Sequence, residues 1–473
     1  MTPRSPHSPF ILSPSALDSA HQAFFGEVGG RADAMASTES RVNAVDADSV
    51  LLAVNAAVES IVGEPVKRDQ PLMEAGIDSL GATELQQQLA DTFSVELPST
   101  LVFDYPTVDA MSEFLYQKLA GAVENIQVST KLSLSLETSE SISVVASSGQ
   151  TEILQDWKSG DASTRVPLER WDVNSKLLVD AEGSLPAQFG VFMNHVEFFD
   201  SELFGIMKSE AIAMDPQQRL LLLQSYHALS CIGGVAAVFG RQVGAFIGIA
   251  ATDYESLSHR NGLPINAFSF TSASPSVASG RLAYIFAARG PAVSIDTACS
   301  ASLVAAHMAC SAFKQSHMES AIAGGVLLCL VPESTLMLSR AQMISPEGRS
   351  KTLDASADGY ARGEACRTMV LMPAGKGRYD PCALIAGSSV NTNGRASSLT
   401  APNGPSQQQL LREAWYAASA RPGDIKGVQL HSNGTSLGDP IEIGAISALV
   451  FVSSFRCCQY RIPCSYPTSV FAG

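Results

Sequence analysis

The chain has 473 residues, of which 46% are hydrophobic and 16% are charged, a composition typical of a folded protein with two or three domains. Its net charge is −15, from 31 basic and 46 acidic residues, and this argues against nucleic-acid binding, which needs clustered lysines and arginines. No apolar run approaches the roughly 18 residues of a membrane span, and the nine cysteines lack Cys-x-x-Cys spacing. These features predict an intracellular, cytoplasmic protein without a metal site, and they leave a plastid location open.

The N-terminal part of the chain divides into a leader and a helical module. Residues 1–47 are rich in Ser, Pro, Ala and Gly without sustained periodicity, which predicts a flexible leader. Residues 48–120 show helical periodicity, with Asp48 placed to cap a first helix, a second helix beginning near Ser79 and a last one beginning at Val108. The predicted apolar faces are Leu51, Val54, Val58 and Ile61; Ala82, Leu85 and Leu89; and Val108, Met111 and Leu115.

The helical module is acidic, with twelve carboxylates against three basic residues and therefore a net charge of −9. Such a module suits docking onto basic patches of partner enzymes. Ser79 stands at the predicted start of the second helix, where its hydroxyl is accessible beside the carboxylate of Asp78. A serine in this position is also a common N-cap or first-turn residue, so both roles are open at this stage.

The larger part of the chain has an α/β pattern. Residues 121–141 form a polar Ser/Thr-rich linker, and from Ile142 strand-like and helix-like segments alternate, with dense Gly and small residues. Strands are predicted at Val243–Ile249, Ala292–Ile295 and Ala321–Val331.

Cys299 stands between a predicted buried strand and an apolar helix, in the first turn of that helix. The thiolate is the nucleophilic form of cysteine, and a helix N-terminus stabilises it. The small neighbours of Cys299 leave room for an acyl chain and for backbone N–H donors. A buried structural cysteine is the alternative interpretation, because free cysteine is among the most buried residue types.

Six blocks of sequence resemble a known family. The segment Asp296–Leu303 resembles the nucleophile signature of β-ketoacyl synthases, with Ala301 where the middle of three serines is usual. The segment Val428–Glu442 resembles the block that carries the first catalytic histidine, with Gln429 where Glu is usual, Leu430 where a small residue is usual, and Ser432-Asn433 in place of Gly-Thr. Gly76–Leu80 is similar to the attachment motif of acyl carrier domains. Further matches are Met214–Leu220, Ala357–Glu364 and Leu399–Ser406. The chain therefore resembles a fragment of a modular polyketide synthase, an acyl carrier domain followed by a ketosynthase.

The resemblance implies a role for each candidate site residue. Ser79 would carry covalent 4′-phosphopantetheine, and Cys299 and His431 would be catalytic. Asn433 and Thr435 would bind the pantetheine amides. The implied function is acyl-chain elongation by decarboxylative Claisen condensation through a cysteine acyl-enzyme, as in polyketide and fatty-acid synthesis.

The resemblance also implies the fold and the partners. The carrier would be an all-α four-helix bundle, with a short extra helix in a loop, and the ketosynthase an α/β thiolase-like fold of five αβαβα layers. The expected partners are acyl and malonyl thioesters on carrier domains, a phosphopantetheinyl transferase, acyltransferase and other synthase domains in trans, and a second copy of the chain in a homodimer. Without acyltransferase, ketoreductase or thioesterase motifs, extender loading is expected from elsewhere.

The C-terminal part departs from the family pattern. No histidine follows His431, although the family has a second catalytic histidine there, and residues 451–473 resemble nothing in the family. The predicted domains are therefore a carrier at 48–120, a partial ketosynthase at 142–450 that is incomplete at its C-terminus, and an aberrant tail. Two alternatives stay open, a non-condensing carrier and docking protein and an acyl-transfer remnant.

Overall fold

A computed structural model describes residues 46–119, 141–150, 162–174, 187–250, 253–263, 265–315, 317–375, 379–449 and 469–472. The predicted leader, the linker and most of the predicted tail lie outside these ranges. From Asp46 onward the chain belongs to a single contact-defined unit. Within the described ranges, no helix combines the length and the apolar character that crossing a membrane requires.

The carrier region forms four helices, as predicted: α1 (Ala47–Val62), α2 (Ser79–Phe93), α3 (Leu101–Asp104) and α4 (Val108–Leu119). The predicted apolar faces of α2 and α4 are buried in one hydrophobic cluster, which confirms them. On α1, Val54 and Val58 are buried as predicted, whereas Leu51 and Ile61 are only partly buried and Val50 is fully buried in addition. The prediction that Asp48 caps α1 is wrong, since the N-cap position is Asp46 and Asp48 lies in the first turn.

The ketosynthase region is built on a seven-stranded sheet of β1 (Ile142–Gln150), β4 (Val243–Gly248), β5 (Ala292–Ile295), β6 (Ser320–Leu327), β7 (Ala365–Pro373), β8 (Ala383–Ser389) and β9 (Ser469–Ala472). The strand order is β5-β4-β6-β7-β1-β8-β9. A separate pair is formed by β2 (Thr164–Arg165) and β3 (Phe189–Gly190). The three predicted strands are confirmed, the third with an earlier end. Four residues of the predicted aberrant tail form β9, which pairs in parallel with β8.

Helices cover both faces of this sheet. The helices of this region are α5 (Lys208–Ala213), α6 (Pro216–Ser230), α7 (Asp253–Arg260), α8 (Ser269–Ala273), α9 (Pro275–Ile285), α10 (Ala301–Gln315), α11 (Pro332–Arg340), α12 (Gly404–Ala417) and α13 (Gly438–Ser447). Successive side chains of a strand point to opposite faces. On β4, Ile247 joins the cluster that contains Leu221 of α6, whereas Phe246 joins the cluster that contains Ala305 of α10. The central strands are therefore buried on both sides, as in other α/β sheets.

Candidate active site

Cys299 lies in a short turn between the end of β5 and the start of α10. Residues Ala298–Ser300 form a 3₁₀ turn, so the α-helix begins two residues later than the sequence predicts. Ala298 has a φ of 53°, in the left-handed region that non-glycine residues rarely adopt. Its backbone N–H donates to Asp296 Oδ1 at 3.0 Å, which holds the turn. This strained backbone presents the Cys299 side chain in an exposed position.

Two strand glycines allow the turn to approach the sheet closely. A Cβ atom on Gly248, at the end of β4, would lie 2.7 Å from both Ala301 C and Ser302 N. A Cβ on Gly325 of β6 would lie 2.8 Å from Ser302 Cβ. The position of the first turn of α10, and with it that of Cys299, therefore depends on the absence of side chains at these two strand positions.

Tyr360 lies close to Cys299, and Arg362 lies next to Tyr360. Burial raises the pKa of Tyr360, the Arg362 guanidinium opposes this effect, and the nearby Cys299 adds to it. Arg362 also donates from Nη2 to the Sγ atom of the buried Cys329 at 3.1 Å. Tyr360 therefore places the loop before β7 next to Cys299.

The loop that carries His431 is held by two carboxylates of α13. The backbone N–H groups of His431 and Ser432 donate to the two oxygens of Glu442, at 2.7 and 2.8 Å. The buried Asp439 accepts from the N–H of Gly434 at 3.2 Å. The imidazole itself is on an exposed residue. The loop is thus fixed through its main chain, which leaves the side chain of His431 available for chemistry.

The two other predicted binding residues contact each other. Thr435 Oγ1 donates to Asn433 Oδ1 at 2.9 Å, and the same hydroxyl oxygen accepts from the N–H of Gly438 at 3.2 Å. The single hydroxyl proton of Thr435 is therefore used within the loop, whereas Asn433 keeps its amide N–H groups for a ligand.

One loop connects the two candidate catalytic regions. Thr352 Oγ1 donates to Ser432 O at 2.7 Å, and the N–H of Leu353 donates to Asp439 Oδ2 at 2.9 Å. The N–H of Gly359 donates to Gly434 O at 3.0 Å. Residues 352–360 thus contact the region of His431 near both of their ends, and they finish at Tyr360, beside Cys299.

A buried ion pair is formed by Arg170 and Glu364, the latter shortly after this loop in the sequence. Glu364 is 2% exposed and accepts from Arg170 Nε and Nη2 at 3.1 and 3.0 Å and from the N–H groups of Met193 and Cys329 at 2.8 and 2.9 Å. Four donors compensate the burial of the carboxylate. The sequence distance of 194 residues between Arg170 and Glu364 explains why no local pattern signals the pair.

Ser79 is the first residue of α2, in the separate carrier bundle. Asp78 is the N-cap, and its Oδ1 accepts from the N–H groups of Leu80 and Gly81 at 3.1 and 2.9 Å. Asp78 therefore fills the capping role that was the alternative role for Ser79. Leu80 is 76% exposed and Asp78 is exposed as well, so the residues on both sides of Ser79 face solvent. This surface fits a covalently attached phosphopantetheine.

The described ranges contain no group of three or more His, Cys, Asp or Glu side chains arranged to hold a metal ion.

Comparison with known proteins identifies the class to which the two regions belong. The profile of the β-ketoacyl synthase N-terminal domain matches residues 143–376, and that of its C-terminal domain matches residues 382–456. The profile of the phosphopantetheine attachment site matches residues 50–115. The chain therefore belongs to the β-ketoacyl synthase family and carries a phosphopantetheine-binding domain in front of the synthase, which implies a covalent 4′-phosphopantetheine on a serine.

Similar curated proteins are modular polyketide synthases. Polyketide synthase GfsA of Streptomyces halstedii is 34% identical over 90% of this chain, and pikromycin synthase component PikAII of Streptomyces venezuelae is 36% identical over 81%. Erythronolide synthase EryA2 of Saccharopolyspora erythraea is 34% identical over 89%. The chain spans only 6%, 11% and 12% of the lengths of these relatives. It has the carrier–ketosynthase organisation of modular polyketide synthases, in which both domains work with thioesters and with other domains.

Solved structures agree with this assignment. The ketosynthase of module 6 of the bacillaene synthase from Bacillus subtilis 168 has a TM-score of 0.59 at 31% identity, with 65% of this chain and 54% of that chain covered. The oxazolomycin ketosynthase domain OzmH KS7 from Streptomyces albus JA3453 has a TM-score of 0.61 at 29% identity, with 66% and 56% covered. The larger region thus has the thiolase-like α/β ketosynthase fold that the sequence predicts.

Proposed function

We propose that this chain takes part in polyketide chain elongation, with Ser79 as the attachment serine and Cys299 as the nucleophile of a decarboxylative condensation. The observation that carries the proposal is the exposed thiol of Cys299 on a strained turn, held against the sheet by Gly248 and Gly325. A buried structural cysteine needs neither exposure nor a left-handed residue before it.

Ser79 would hold the prosthetic group, which supplies a thiol that carries acyl groups as thioesters on a long arm. The exposed Asp78 and Leu80 leave this end of α2 accessible to a modifying enzyme. A phosphopantetheinyl transferase is the partner that this chemistry requires. The acidic surface of the bundle offers it complementary charge if its docking face is basic.

Cys299 would take the acyl group first. Its thiolate attacks the thioester carbonyl, a new C–S bond forms at Sγ, the C–S bond to the carrier breaks, and the carrier sulfur leaves as a thiolate that takes a proton from water. Tyr360 lies close to the thiol, and Arg362 lies next to Tyr360.

His431 would act in the second stage. A malonyl-type extender loses carbon dioxide, and the electron pair of the broken C–C bond becomes the carbon nucleophile that attacks the acyl carbonyl on Cys299. A new C–C bond forms and the Cys299 C–S bond breaks, which restores the thiolate. An imidazole N–H of His431 stabilises the negative charge that decarboxylation places on the extender thioester oxygen. Asn433 would donate from its amide to the pantetheine.

The sheet edge at β5 supports a homodimer. β5 is the terminal strand of the sheet, and its residue Ala292 is exposed. Tyr284 and Phe270, on the neighbouring helices, are 84% and 77% exposed. An open edge strand beside large exposed aromatic side chains is a surface that a second copy can cover.

Mass spectrometry of the intact chain tests the proposal. Co-expression with a phosphopantetheinyl transferase should add the mass of one arm, which Ser79→Ala should abolish and the exposed control Ser99→Ala should not. An acyl thioester should then add one acyl group, which Cys299→Ala should abolish and Cys231→Ala, at another exposed thiol, should not.

Addition of a malonyl thioester distinguishes the functions. Formation of a ketide product supports condensation, while acylation of Cys299 without a ketide product would establish the acyl-transfer remnant instead. Arm attachment without any acylation of Cys299 would leave only a carrier and docking role.

A further inference from the structure

The carrier bundle contacts the ketosynthase region at a half-buried carboxylate, that of Asp104. Asp104 is the last residue of α3, and its Oδ1 accepts from the backbone N–H of Gly404, the first residue of α12, at 3.2 Å. Its other oxygen, Oδ2, accepts from Thr100 Oγ1 at 2.7 Å. Thr100 therefore orients the carboxylate so that the free oxygen faces α12.

The ketosynthase side of this contact is shaped to receive the carrier. Asn403 caps α12 with its Oδ1, which accepts from the N–H of Ser406 at 2.9 Å, and its Nδ2 donates across the interface to Asp104 O at 3.4 Å. A Cβ on Gly404 would lie 2.7 Å from Asp104 Oδ1, and its three nearest neighbours are all atoms of Asp104. Glycine at this position thus leaves room for the Asp104 carboxylate.

Burial raises the pKa of Asp104, and the hydrogen bonds from Thr100 and Gly404 oppose this effect. The carboxylate is therefore largely removed from water and depends on these two donors. A second contact, between Arg395 Nη1 and Asp69 Oδ2 at 3.7 Å, joins side chains that are 60% and 75% exposed. An exposed pair of this kind contributes little.

We propose that the carrier domain of this chain docks on its own ketosynthase at the N-terminus of α12, with Asp104 as the anchor and Gly404 as the position that admits it. The inference rests on the proposed function in one respect only, that the two domains exchange acyl groups. Docking through α3 leaves Asp78 and Leu80, beside Ser79, exposed, so the arm remains accessible while the carrier is held. Such tethering raises the effective concentration of the carrier at its own synthase.

Hydrogen exchange at single amides of the full chain reports this docking directly. The first N–H groups of a helix have no acceptor within the helix, so the protection of the Gly404 amide depends on Asp104. The Ser406 amide is bonded to Asn403 of the same domain and serves as an internal reference. In the wild-type chain we expect the Gly404 amide to exchange more slowly than an unbonded amide.

Two variants of the ketosynthase side should release the carrier without altering it. Gly404→Ala introduces a methyl group whose nearest neighbours are the carboxylate atoms of Asp104, and Asn403→Asp keeps the cap but replaces the donor to Asp104 O with a carboxylate. Each should speed exchange of the residue 404 amide about tenfold or more, the size expected for losing one hydrogen bond to a charged group. Gly427→Ala, where a Cβ meets open space, and Arg395→Ala should change it less than about threefold.

Three results would overturn the proposal. The first is a Gly404 amide that exchanges as fast in the wild type as in Asp104→Ala. The second is equal exchange in Gly404→Ala and Gly427→Ala, and the third is a loss of protection on dilution, which would assign the docked carrier to another chain. None of these measurements requires acylation, so failure of the proposed chemistry would leave the docking result unaffected.

Discussion

The substitution Gly248→Ala tests whether the position of Cys299 depends on the glycine at the end of β4. The new Cβ would lie 2.7 Å from two backbone atoms of the first turn of α10, whereas ordinary contacts begin at 3.4 Å. Because both atoms belong to the main chain, no side-chain rotation can relieve the clash, and the turn must move by about 0.7 Å in a close-packed interior.

This displacement should affect both stability and catalysis. Overpacking of a core costs typically about 1–3 kcal/mol, and we expect a loss of that size in the free energy of unfolding. A misplacement of about 1 Å can reduce a rate about 100-fold, so a shift of about 0.7 Å should slow acylation of Cys299 about tenfold or more.

The assay compares two reactions of Cys299 by peptide mass spectrometry. Acylation by a soluble acyl thioester depends on geometry, whereas alkylation by iodoacetamide depends mainly on exposure and should change less. Gly280→Ala is the matched control, since a Cβ there meets open space within α9, and it should stabilise the chain by about 0.4–1 kcal/mol. An unfolding free energy and an acylation rate for Gly248→Ala equal to those of the wild type would refute this account of the turn.

Two further substitutions test other features of the fold. Ser432 has a φ of 36° and a buried hydroxyl without a hydrogen-bond partner among the described residues. Ser432→Gly should therefore stabilise the chain by about 1–2 kcal/mol, because it removes backbone strain and an unsatisfied polar group. A urea midpoint lower than that of the wild type would contradict this. Burial raises the pKa of Asp215 to about 6, so its proton is held more tightly in the folded state than in the unfolded state. The free energy of unfolding therefore falls by about 3 kcal/mol as the pH rises from about 4 to above 6. Asp215→Asn keeps the cap of α6 without this penalty, so its stability relative to the wild type should be greater at pH 7.5 than at pH 4.5; a difference independent of pH in urea unfolding would show that the penalty is absent.

Features that depend on local pattern could be predicted from the sequence. The helical spacing of Ala82, Leu85 and Leu89 identified the buried face of α2, and the apolar runs located β4 and β5 to within a residue. The position of Cys299 after β5 followed from the same pattern. Its 3₁₀ conformation did not, because the left-handed Ala298 is imposed by the hydrogen bond to Asp296 and by packing against the sheet.

Contacts between distant parts of the chain could not be predicted in the same way. Glu364 meets Arg170 across 194 residues, and Gly404 meets Asp104 across 300. Neither pair has a periodicity or a spacing that brings it together, since the contact arises only when the sheet and the helices have packed. The roles of Gly248 and Gly325 are likewise visible only when α10 lies against β4 and β6.

The manner in which the His431 loop is held explains why its sequence can depart from the family pattern without changing its course. Glu442 and Asp439 bind main-chain N–H groups of residues 431, 432 and 434, and Thr352 binds a main-chain carbonyl. None of these contacts depends on the side chains at positions 429, 430, 432 or 433, which are the positions that differ from the family pattern. The carboxylates of Glu442 and Asp439 fix the backbone from which the His431 side chain extends. The substitutions therefore affect local strain and ligand contacts at Asn433, and not the position of His431.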